Sequence, residues 1–139
     1  MKVVINTCYG GFELSAMAIK RIMELQGREC YFFSHEYKDS SFNPTYSPIN
    51  PERHTGYFDV FDIPNPNQPT EDGKDHYICL EFELERNDSL LIQAVEELGE
   101  KANGSCAKLK IIEIPDDLDY YIDDYDGMET IHEKHESYS

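Results

Sequence analysis

A chain of 139 residues in which 40% of side chains are hydrophobic is long enough to bury a core within one domain. Ten tyrosines and seven phenylalanines argue against disorder, and no apolar run approaches the ~20 residues that a membrane-spanning helix needs. Twenty-eight acidic against 12 basic side chains give a net charge of −16, a field that repels phosphate backbones and argues against general binding of DNA or RNA, while leaving room for one small anionic ligand in a local pocket.

Lys2 to Asn6 (KVVIN) is a β-branched run that predicts a buried strand. Thr7 to Phe12 (TCYGGF) reads as a loop. Ser15 is the expected N-cap of a helix over Ala16 to Gln26, with Ala18, Ile22 and Leu25 at helical spacing and Met17 and Met23 beside them. Gly27 stops that helix, and Arg28 to Ser34 (RECYFFS) predicts a second strand. Strand, helix and strand within about 33 residues suggest a βαβ unit with parallel strands and a right-handed crossover.

The middle of the chain, residues 35–75, is expected to be irregular and rich in loops. Residues 35–55 carry prolines, serines and asparagines without a hydrophobic period, as lids and binding loops do. Gly56 to Ile63 (GYFDVFDI) alternates like a strand, and residues 64–75 form a second loop. His76 to Glu85 (HYICLEFELE) reads as a further strand. Asn87, Asp88 and Ser89 then precede LLIQAVEELGEKANG, a capped amphipathic helix with Leu91, Ala94, Val95 and Leu98 on its apolar stripe, ended by Gly99 or Gly104. Lys108 to Ile114 (KLKIIEI) is a strand stopped by Pro115. Tyr120 to Tyr125 and Met128 to Glu133 flank Asp126-Gly127 and predict a hairpin on a type I′ turn, with a helix from Met128 to His135 as the competing reading. The fold class is therefore α/β or α+β. It is expected as a single domain over residues 1–139, with a mixed sheet, an N-terminal strand–loop–helix–strand unit, a second amphipathic helix and a C-terminal β-hairpin.

Cys8, Cys30, Cys79 and Cys106 are far apart and never form a C-x-x-C pair. They read as free, mostly buried thiols of a reducing compartment rather than as zinc ligands or a disulfide framework. The opening MKVVINTCYGG lacks the apolar core and cleavage pattern of a secretory signal, so a cytoplasmic location is expected.

The loop from Asn6 to Phe12 lies between a strand and a helix start, where glycines admit a ligand to the backbone and first-turn N–H groups favour an anion. Gly10 and Gly11 would meet a phosphate, Thr7 or Ser15 would add a hydroxyl, and Tyr9 or Phe12 a stacking face. Glu13 opposes an anion there, and the same loop reads equally as a tight turn with positive φ at a glycine. Arg53, beside His54, and Arg86 could grip a phosphate bidentately or simply pair with surface carboxylates. Tyr31, Phe33, Tyr37, Phe42, Tyr46 and Tyr57 crowd the middle region and could stack on a base or merely on one another. His132 and His135, near Glu129 and Glu133, could chelate a metal on a helix but face opposite sides of a strand. No metal or cofactor is expected, and no paired carboxylates or nucleophile with a spaced histidine stand out.

The segments VINTCYGGFELS (4–15), RNDSLLIQAVEELGEKANGSCAKLKIIEIPDD (86–117) and YDGMETIHEKH (125–135) resemble a widespread family of small, mostly uncharacterised phage and prophage proteins. The likeness leaves residues 35–75 outside it. An Arg and a Trp usually follow the last histidine in that family, whereas Glu136-Ser137-Tyr138 stands here. The resemblance implies a phage setting, in which small stand-alone proteins often counter host defence and several are oligomeric sponges for a cyclic nucleotide signal. The expectation is a non-enzymatic homo-oligomer that holds a small nucleotide-derived signal of the cyclic ADP-ribose or cyclic dinucleotide type. Gly10 and Gly11 would contact phosphate, Arg53 and Arg86 would pair with it, and Tyr9, Phe12 or Tyr57 would stack on the base. An acidic protein–protein inhibitor or DNA mimic, using Asp116 to Glu136, and a small nucleotide-processing enzyme are the alternatives.

Overall fold

Among the described residues the chain forms three short sheets and two amphipathic helices. The computed structural model describes residues 1–38, 43–54 and 56–134. Strand β1 (Lys2–Asn6) leads to helix α1 (Ala16–Leu25), then to β2 (Tyr31–Glu36), β3 (Thr45–Pro48) and β4 (Asp59–Phe61). A single helical turn α2 (Leu80–Glu83) precedes helix α3 (Ser89–Leu98), which a 3₁₀ turn over Gly99–Ala102 extends. Strands β5 (Leu109–Glu113), β6 (Tyr120–Tyr125) and β7 (Met128–Glu133) follow.

Helix α1 forms where its caps and its apolar spacing agree. Ser15 is extended, and its Oγ accepts the N–H of Ala18 at 3.1 Å while donating to the carbonyl of Lys101 at 2.6 Å. The helix ends in a Schellman arrangement, with Arg28 N–H on the Met23 carbonyl and Gly27 N–H on that of Glu24. Ala18, Ile19, Ile22 and Met23 are buried against Leu91, Ala94 and Val95 of α3, whose N-cap Asp88 accepts the N–H groups of Leu90 and Leu91. Val4 of β1 and Leu14 close the same core. Ser15→Ala is expected to lower stability by about 1 kcal/mol. A reduced urea midpoint with an unchanged far-UV spectrum would register it.

The α+β form of the predicted class is what the chain adopts, with the C-terminal hairpin where it was expected. Asp126 and Gly127 both have positive φ, 52° and 88°, as a type I′ turn requires. Residues 128–133 are therefore a strand, and the competing helix is overturned.

The parallel βαβ unit does not form. β1 pairs antiparallel with β5, with Val4 opposite Ile111, while β2 lies in a separate sheet between β3 and β4. Every strand pairing among the described residues is antiparallel, so the sheets are not mixed. The segment after β2 supplies both of its partners, and antiparallel pairing lets β3 return to β2 through a short connection where a parallel partner needs a long crossover. Residues 35–55 are correspondingly less irregular than expected, since they hold the end of β2 and all of β3, while β4 lies within the strand expected over residues 56–63. His76 to Glu85 is not a strand. Tyr77 forms one bridge to Phe61, Ile78 donates to the Val60 carbonyl, and the chain then turns into α2. Leu80 and Leu84 sit four apart, so their alternation serves a helical turn as well as a strand, and Leu84 N–H closes that turn on the Leu80 carbonyl. The four cysteines are free, but Cys106 is exposed and the other three only half-buried, which corrects the expectation of mostly buried thiols. No helix among the described residues is long and apolar enough to cross a membrane.

Candidate ligand-binding site

Asn6 ends β1 with its side chain fully buried, and it fixes the loop that follows. Its Nδ2 donates to the carbonyls of Cys8 at 2.7 Å and Gly127 at 2.6 Å, and its Oδ1 accepts the N–H groups of Lys108 at 2.8 Å and Cys8 at 3.3 Å. The glycine loop is thereby tied to the tip of the β6–β7 hairpin. Gly10 N–H points to the Asp126 carbonyl at 3.3 Å, and a Cβ placed on Gly127 would lie 2.2 Å from the Gly11 nitrogen. The hairpin turn thus covers the backbone face that an anion would approach. Thr7 Oγ1 donates to the Lys108 carbonyl at 2.9 Å, so the hydroxyls of Thr7 and Ser15 both serve the fold. Tyr9 is exposed and lines no part of the main cavity.

Three of the predicted residues do meet. Phe12, Tyr57 and Arg86 line one open cavity of about 450 Å³, within the size range of small-molecule sites. Phe58, Tyr77 and Phe82 add aromatic walls, with Leu14, Ile19, Val60 and Ile78 behind them. Tyr57 and Phe82 are 87% and 92% exposed, an unusual state for such large apolar side chains. His54 fixes the backbone beside Tyr57, with Nε2 2.9 Å from the Tyr57 carbonyl. Arg53 sits exposed in the turn at 51–53, outside the cavity lining.

Arg86 is committed on several sides. Its guanidinium carbon stands 3.6 Å over the Phe12 ring, and its two terminal nitrogens donate to the two oxygens of Glu129 at 2.5 and 2.8 Å. Glu129 is only 5% exposed and also accepts the Asn6 N–H at 2.8 Å. This pair locks the segment before α3 to β1 and to the hairpin. The other cavity carboxylates, Glu13, Glu81 and Asp124, have no basic partner among the described residues. Cys79 Sγ donates to Glu81 at 3.5 Å; burial, with the Glu81 charge adding, pushes its thiol pKa up and keeps it protonated, a donor rather than a nucleophile. Burial likewise raises the Tyr77 phenol.

The aromatics of the middle region mostly pack on one another. Phe33, Tyr46, Phe61 and Tyr77 form a chain of edge-on contacts with centroids 5.0 to 6.3 Å apart. Phe42 lies outside the described residues, as does His135 of the suggested histidine pair. His132 stacks on Tyr121 instead. Sequence reasoning missed Asn6, Glu81 and the role of Glu129. One signal existed for Glu129: it shares a strand face with Ile131, and a carboxylate on an apolar face needs a partner. No protein-family model, curated protein or solved structure matches the chain.

Proposed function

We propose that this protein binds a small nucleotide-derived immune signal, of the cyclic ADP-ribose or cyclic dinucleotide type, and withholds it without cleaving it. The observation that carries the reading is the aromatic-walled cavity of about 450 Å³ where Phe12, Tyr57 and Arg86 converge. Flat rings stack on such walls, and two of the aromatics stand nearly free in solvent at a cost that a bound ring would relieve. The Arg86–Glu129 pair holds the Phe12 wall in place before any ligand arrives, which lowers the ordering cost of binding. The protonated thiol of Cys79 suits a site that holds rather than attacks. The likeness of the end segments to phage proteins supplies the setting of host counter-defence in the cytoplasm, with a homo-oligomer as the working assembly.

Calorimetric titration with a panel of cyclic nucleotides tests this. One member is expected to bind and to be recovered intact after release by heating. Tyr57→Ala is expected to weaken that binding by about tenfold or more without moving the thermal midpoint, because Tyr57 contributes little to the core. Flat heats across the panel would sink the reading, and recovery of a cleaved product would move the protein to the nucleotide-processing class.

A further inference from the structure

We infer that the cavity receives the base of its ligand and leaves the phosphates outside, with Glu81 accepting two adjacent N–H groups from a guanine base. This rests on the nucleotide reading above, narrows it to the cyclic dinucleotides because cyclic ADP-ribose carries adenine, and reverses the polarity expected from the glycine loop.

The anion has nowhere to go inside. Glu129 neutralises Arg86 through both terminal nitrogens, and Phe12 covers one face of the guanidinium. The loop amides face the Asp126-Gly127 turn, and the start of α1 is already capped by Ser15. Glu13, Glu81 and Asp124 remain as uncompensated lining charges, and a phosphate brought among them would be repelled in a site partly shielded from water. A ring that presents N–H donors is attracted instead.

Glu81 is the carboxylate prepared for that contact. Its Oε1 accepts the Leu14 N–H at a long 3.3 Å, and its Oε2 faces the protonated Cys79 thiol at 3.5 Å. Both contacts orient the group while each oxygen keeps a lone pair for a ligand. A carboxylate meets two parallel donors best. Guanine offers that pair, from its ring N1–H and its 2-amino group. Adenine sets an acceptor nitrogen beside its amino group, uracil flanks its single N–H with carbonyls, and hypoxanthine lacks the amino group altogether. Each would turn an acceptor or nothing toward one oxygen of Glu81.

The test titrates the unmodified protein with guanosine, inosine, adenosine, uridine and guanosine 5′-monophosphate at low ionic strength. Guanosine is expected to bind about tenfold or more tightly than the other nucleosides, and its monophosphate no more tightly than guanosine itself. Glu81→Gln is expected to remove that preference while inosine binding stays within about twofold, since an amide oxygen still accepts but its nitrogen meets a donor. Tighter binding of the monophosphate, or a preferred base other than guanine, would overturn the inference and leave the nucleotide reading standing. No binding by any of the five, together with a silent cyclic-nucleotide panel, would remove both. The wild-type series decides the matter even if Glu81→Gln fails to fold.

Discussion

Glu129→Ala is expected to lower the stability of the protein by about 3–5 kcal/mol, read as a large fall in the urea midpoint with an unchanged m-value. The substitution strands two groups at once. Arg86 keeps only the Phe12 ring and a 3.4 Å contact to the Val4 carbonyl, and the Asn6 N–H loses its acceptor in a buried position. Domains of this size are stable by roughly 5–15 kcal/mol, so the loss takes a large share of the total. Glu129→Gln should fall between, because one oxygen still accepts while the amide nitrogen opposes a guanidinium donor. The exposed pairs Lys2–Glu96 and Arg21–Glu97 make comparably short contacts, yet water screens them and their removal is expected to matter far less. The variant also leaves Arg86 without its carboxylate, but Glu13, Glu81 and Asp124 still hold the cavity lining net negative, so inorganic phosphate is expected to stabilise Glu129→Ala little more than the wild type.

The features legible in the sequence were the ones encoded within a few residues. Ser15, Gly27, Asp88 and Asp126-Gly127 each announce a cap or a turn through their own local bonding, and each stands where the pattern put it. Pairing across the chain was not legible. β1 finds β5 roughly a hundred residues away, and Arg86 finds Glu129 across 43 positions. Nothing in either segment names its partner, because burial and charge are satisfied by any strand or carboxylate that the fold delivers. The candidate site shows the same division. Phe12, Tyr57 and Arg86 were visible as residue types suited to a ligand. At the loop the residue types left two readings open, because Gly10 and Gly11 suit an approaching phosphate equally well as an approaching backbone, and it is the backbone of Gly127 that lies against them.

Gly127→Ala tests which of those approaches the glycines serve, and it is expected to cost about 2–5 kcal/mol. Two terms contribute. An L-residue at φ 88° is strained by roughly 1–2 kcal/mol, and the new Cβ would meet the Gly11 nitrogen at 2.2 Å and the Gly10 nitrogen at 2.6 Å. Backbone atoms cannot rotate away as a side-chain end can, so the hairpin tip must lift from the loop, adding about 1–3 kcal/mol. Gly73→Ala is the matched control. It has φ 63° and open space around the position, so it carries the conformational term without the collision. A similar urea midpoint for the two variants would mean that the contact between loop and hairpin contributes nothing. A large excess for Gly127→Ala would assign Gly10, Gly11 and Gly127 to one backbone-to-backbone junction. That junction has a functional reach. Lifting the turn strips the Asn6 Nδ2 of its Gly127 acceptor and frees the loop that carries Phe12 beneath Arg86. Ligand affinity should therefore fall with stability in Gly127→Ala and stay unchanged in Gly73→Ala, even though neither glycine lines the cavity.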